Sequence, residues 1–148
     1  EESIRVPLIV RDPRMPSRLR GTTNEKMTLT VDLAPTIVSA AGAKIPDGMQ
    51  GQDLAALYLE GNETKSANWR KDYFYEHATI KNIDFIPSSQ ALVQHDWKYI
   101  YWPDYNVEQL FDLKSDKLEE NDLIKSPSHQ AKLAELRTRF ATLKDAAK

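Results

Sequence analysis

Alternation of apolar and polar positions is clearest in the second half of the chain. Four runs, Asp72 to His77, Ser89 to Gln94, Lys98 to Trp102 and Glu108 to Leu113, are rich in aromatic and β-branched residues and have strand length. His95-Asp96-Trp97 and Pro103 to Asn106 separate the last three by tight turns, which predicts an antiparallel meander. The connection between the first two, Ala78 to Ser88, is longer, and long connections are where binding groups concentrate. After the Ser-Pro-Ser at Ser126, the residues Leu133, Leu136, Phe140 and Leu143 recur at helical spacing. They give a packing helix one apolar stripe to lay across a sheet face.

The first half follows other patterns. Ile4 to Val10 is a nearly continuous apolar run flanked by Arg5 and Arg11, as in a strand buried on both faces. A helix is predicted from Asp32, which can cap it. Pro35 is tolerated in the first turn, Leu33, Ile37, Ala40 and Ala41 share a face, and Gly42 ends it. Asp53 to Tyr58 supports a short helix, and the polar stretch Gly61 to Asn68 is the best place for a subdomain boundary. The fold class that results is α+β.

Composition narrows the function. With 148 residues, 41% hydrophobic and 28% charged, one compact domain of ordinary kind is expected. No apolar run approaches the roughly 20 residues needed to span a bilayer. A net charge of −2 argues against nucleic acid as the main partner. The absence of Cys removes disulfides, thiolate nucleophiles and Cys-ligated zinc. The chain opens at Glu1-Glu2 without an initiator Met, which reads as a fragment whose natural start lies upstream.

Candidate chemistry is sparse. His77, His95 and His129 stand far apart, without the spacings of metal-binding pairs. His95 and His129 read as surface residues, whereas His77 follows Glu76 at a strand end and opens the long loop. His77, Glu76 and Lys81 are therefore the candidate substrate-binding residues. Arg11, Arg14, Arg18 and Arg20 crowd a Pro-rich loop and could grip an anion, although such runs are usually solvated. An aromatic set, Trp69, Tyr73, Phe74, Tyr75, Trp97, Tyr99, Tyr101, Trp102 and Tyr105, could stack on sugars; alternation puts about half of it in the core. A free-standing carbohydrate-binding module and a purely structural interaction domain are thus the alternatives to an enzyme part.

Several segments, in order, resemble the type I sulfatases of the alkaline-phosphatase-like superfamily. They are Glu1-Glu2-Ser3-Ile4-Arg5-Val6-Pro7-Leu8-Ile9-Val10, Val31-Asp32-Leu33-Ala34-Pro35-Thr36-Ile37, Met49-Gln50-Gly51-Gln52-Asp53-Leu54, Trp69-Arg70, Phe74-Tyr75-Glu76-His77, Trp97-Lys98-Tyr99-Ile100-Tyr101, Glu108-Gln109-Leu110-Phe111-Asp112-Leu113 and Glu120-Asn121-Asp122-Leu123.

The resemblance implies that residues 1–60 end a large α/β domain, contributing an edge strand and a helix. Residues 61–148 would form a small subdomain with a four-stranded antiparallel sheet packed by a C-terminal helix. It also implies a formylglycine made in a C/S-x-P-S-R motif and a bound calcium, both expected upstream of this chain. Pro16-Ser17-Arg18 echoes that motif, but Arg14 stands where Cys or Ser is required. The expected partners are the rest of the sulfatase chain and a sulfated small molecule or polysaccharide, with a periplasmic or extracellular location. Two departures from the family pattern are Gln94, where Arg is frequent, and Lys117, where Pro is. The chain alone is expected to be inactive, and its apolar Ile4 to Val10 edge invites self-association.

Overall fold

In the computed structural model, which describes residues 4–147, the run Ile4 to Val10 does not form the predicted strand. It is an open segment with Leu8 45% and Ile9 92% exposed. A strand needs a neighbour for its N–H and C=O groups, and the sheet consists of four other strands. The chain divides into two units, Pro7–Arg70 and Lys71–Lys148, the latter together with Glu1–Val6.

Pro7–Arg70 holds helix α1 (Leu33–Ala40), a 3₁₀ turn over Leu54–Leu57 and the short helix α2 (Glu63–Ala67). Asp32 precedes α1 as predicted but does not cap it with its side chain. Its carboxylate is fully buried. It accepts hydrogen bonds from the backbone N–H of Leu29 (2.7 Å) and of Gln52 (2.8 Å), and from both terminal nitrogens of Arg70. Thr36 extends the junction: its hydroxyl donates to the Asp32 carbonyl and accepts from the Leu54 N–H. Such close approach requires glycine at position 51, where an added Cβ would lie 2.0 Å from the Val31 carbonyl oxygen. Asp53 then caps the 3₁₀ turn by accepting from the Ala55 N–H. Trp69, 4% exposed, donates its indole N–H to the Met27 carbonyl and packs with Leu54 and Ala56.

This anchoring corrects the predicted helix face. Pro35 is buried, whereas Leu33 and Ile37 are 40% and 67% exposed. The polar contacts of Asp32 and Thr36 fix the rotation of α1 and turn the expected apolar stripe outward.

Lys71–Lys148 is the predicted meander with its helix. Strands β1 (Asp72–His77), β2 (Ser89–Gln94), β3 (Trp97–Trp102) and β4 (Val107–Asp112) pair antiparallel in that order. Helix α3 (Gln130–Ala146) follows a 3₁₀ turn over Pro127–His129. Side chains alternate between the two sheet faces, and the register sets Phe74, Leu92, Tyr99 and Leu110 on one of them. That face meets Leu133, Leu136 and Phe140 of α3, with Phe74 and Tyr99 edge-on to the Phe140 ring. Each fully buried leucine here contributes about 2 kcal/mol of transfer free energy.

Ionic contacts fix how α3 crosses the sheet. Arg139 grips Asp72 on β1 through two hydrogen bonds (2.7 and 2.8 Å), and Arg137 grips Glu108 on β4. After β4, Asp122 accepts from the N–H groups of Leu110 and Ile124, and the buried Lys98 ammonium pairs with Glu119.

Candidate functional site

Strand alternation separates two of the sequence-predicted site residues. Glu76 lies on the α3 face of β1, opposite Gln90, while its neighbour His77 points to the other face, opposite Ser89. Glu76 accepts from the Gln90 amide, whose oxygen accepts in turn from the Lys144 ammonium at 2.9 Å. It therefore tethers the end of β1 to the last turn of α3. His77 is half-buried where β1 opens into the 78–88 connection, and Lys81 is exposed within that connection.

The long connection is tightly fastened. Asp104, in the β3–β4 turn, accepts from the Thr79 hydroxyl (3.0 Å), the Ser88 N–H (2.7 Å) and the Ser88 hydroxyl (2.9 Å). One carboxylate thus clasps both ends of the loop. These donors, the Ser88 N–H foremost, hold the Asp104 carboxyl below its ordinary value. Tyr105 reaches further in, donating its hydroxyl to the Ile83 carbonyl. Inside the loop Ile80 and Ile86 form a β-bridge, and the Asn82 side chain accepts from the Phe85 N–H. Sequence reasoning placed Asp104 in a turn without a partner; a Pro-Asp pair facing a Thr- and Ser-flanked loop was the available signal.

The arginine loop is engaged within its own unit. Arg14 forms a fork on Asp12, Arg18 bonds Glu60, and Arg20 donates to the carbonyls of Met15 and Pro13. The Arg14 hydrogen bonds lower the Asp12 carboxyl to about 2. Arg18 and Glu60 line a shallow cavity of about 430 Å³ with Leu19, Lys26, Tyr58 and Asn62. The aromatic set is also largely committed to packing, and of the described aromatic side chains only Phe85 (57%) and Tyr105 (50%) are strongly exposed.

The fold and the motif order point to one family, and the comparison with family models decides it. The family described as N-sulphoglucosamine sulphohydrolase, C-terminal, matches residues 1–146. The chain belongs to this sulfatase C-terminal family. An N-acetylglucosamine-6-O-sulfatase of Bacteroides thetaiotaomicron is 29% identical over 137 residues, 92% of this chain and 24% of its own length. An arylsulfatase of Clostridium perfringens is 30% identical over 139 residues, 93% of this chain and 27% of its own length. A solved 2-O GAG sulfatase is 27% identical with a TM-score of 0.62, over 78% of this chain and 23% of that one. The chain therefore spans about a quarter of the curated relatives it matches.

Among the described residues of this sulphohydrolase C-terminal chain, neither the echo of the modification motif nor the acidic side chains assemble a formylglycine or calcium site. The chain has no Cys. At the echo of the modification motif Arg14 is bound to Asp12, and Ser17 opens a short 3₁₀ turn. Among the described residues no three His, Asp or Glu side chains converge as metal ligands, and no helix is long and apolar enough to cross a membrane. Seen in the fold, most of the family-like motifs are structural joints: Asp32, Thr36, Gly51 and Arg70 form one, Leu110 and Asp122 a second, and Tyr99, Glu108 and Arg137 a third.

Proposed function

We propose that this chain is the part of a sulfatase that walls the substrate pocket and stabilises the enzyme, that the substrate is a sulfated glycan, and that the chain hydrolyses nothing alone. The observation that carries this reading is the fastened loop 78–88, which opens at His77 and whose two ends are clasped by Asp104. Glycan sulfatases among the relatives that match most of the chain support the substrate class. Formylglycine and calcium belong to the catalytic part, which is this chain's first partner. A periplasmic or extracellular location accords with the extracellular sulfatase among the relatives. His77 is the residue on this wall placed to donate a hydrogen bond to a sugar hydroxyl or sulfate oxygen, and Glu76 positions the strand that carries it.

The test is made in the full-length protein, comparing a sulfated disaccharide with a small aryl sulfate. His77→Ala should lower kcat/KM for the disaccharide about tenfold more than for the aryl sulfate, the loss of one hydrogen bond to a charged group. The chain alone should release no sulfate from either. Equal effects on both substrates, or turnover by the isolated chain, would overturn the reading.

A further inference from the structure

Resting on the same wall is a second feature that the family assignment does not supply. The two strongly exposed aromatic side chains both belong to the loop assembly: Phe85 sits in the 78–88 connection, and Tyr105 is bonded to it through Ile83. The Lys81 ammonium lies 4.4 Å from the Phe85 ring centroid. Lys81 holds this place with φ of +62°, a backbone region that costs a lysine free energy and that Gly or Asn would enter more easily. Exposed aromatics on a mobile loop would be unremarkable. Here the Asp104 clasp, the Tyr105 hydroxyl and the Ile80–Ile86 bridge keep the loop in one shape with its apolar side outward.

An exposed aromatic ring with an ammonium over one face and its other surface toward a ligand suits a sugar ring that carries a negative group. The ring's C–H face packs on the aromatic surface, and the ammonium meets a sulfate or carboxylate oxygen. The loop's opposing charge is Asp84, since Asp104 is engaged by its three donors. We infer that Lys81 and Phe85 form a preassembled subsite for an anionic sugar residue next to the esterified one, with Asp104 as the residue that positions it.

The full-length protein is assayed on a sulfated disaccharide whose second sugar is a uronate, and on the same disaccharide with that uronate reduced to the neutral sugar. Lys81→Gln should raise the KM ratio of anionic to neutral substrate about threefold, and Phe85→Ala should raise KM for both about fivefold. Asp84→Asn should shift the ratio in the opposite direction to Lys81→Gln. Asp104→Ala should raise KM and speed hydrogen exchange at the 78–88 amides while leaving kcat within about twofold. His77→Ala is the reference. If it raises KM but Lys81→Gln and Phe85→Ala leave the ratio and KM unchanged, the subsite is wrong and the wall stands. If none of the variants alters KM, the wall reading itself fails. Faster exchange in Asp104→Ala with KM unchanged would remove Asp104 from its positioning role.

Discussion

The two units secure their chains by different physics. Pro7–Arg70 has little regular structure and closes around one buried polar joint, in which Asp32 gathers Leu29, Gln52 and Arg70. Lys71–Lys148 is a sheet and a helix pressed together over Leu92, Leu110, Leu133 and Leu136, with ion pairs set around the contact. An apolar core distributes its stability over many contacts and tolerates small errors. A buried carboxylate concentrates it: fully partnered it specifies one geometry, but losing one partner leaves a charge without water or counter-ion.

Substitution at Arg70 is the severest way to break the comparison. Arg70→Ala should cost about 4 kcal/mol by stranding Asp32, so that Pro7–Arg70 loses its protected amides in hydrogen exchange. Next comes Leu136→Ala on α3, which should cost about 3 kcal/mol, the usual penalty for a leucine-sized cavity. It should lower the melting temperature of the sheet unit first. Equal effects of Arg70→Ala and Leu136→Ala on the exchange of both units would show that the joint and the core are one cooperative system.

The smallest expected effect sharpens the role of the ion pairs. Arg137 and the Tyr99 hydroxyl hold the Glu108 carboxyl below its ordinary 4.5. A lowered folded value contributes stability that is complete above 4.5 and disappears as pH falls through the folded value. Glu108→Gln should therefore cost about 1 kcal/mol at neutral pH, given partial exposure, and progressively less as pH falls below 4.5 through the lowered folded value. Burial first, and Glu108 second, raise the Tyr99 phenol above its ordinary 10.0. That contribution is complete below 10.0 and is lost as pH rises, so alkaline titration followed by tyrosinate absorbance should show one phenol ionising only with unfolding.

Much of the sheet unit was legible in the sequence because its information is local. Period-two alternation and tight turns place all four strands within one residue, and the Leu133, Leu136 and Phe140 stripe places α3 on the sheet. The misreadings concern partners far along the chain. Asp32 carries the ordinary signal of a helix cap, yet Arg70 and Gln52, which claim its carboxylate, lie 38 and 20 residues away. Ile4 to Val10 has a strand's composition, but composition names no neighbour. Adjacency in the sequence also hides that Glu76 and His77 lie on opposite faces of β1. Asp104 and Phe85 were missed because a turn acid and a loop aromatic look ordinary until the loop is seen closed on itself.

The distance from Asp32 to Arg70 also bears on how the protein is made. Arg70 is the last residue of its unit and follows Asp32 by 38 positions, so at about 5–20 residues per second the ribosome delivers it roughly 2–8 s later. Until then the carboxylate stays hydrated and the segments around Gly51 have no reason to draw together. This unit should therefore acquire its structure abruptly, near the end of its own synthesis. A pause placed between the codons for Asp32 and Arg70 would lengthen the interval in which nascent chains are open to chaperones and proteases.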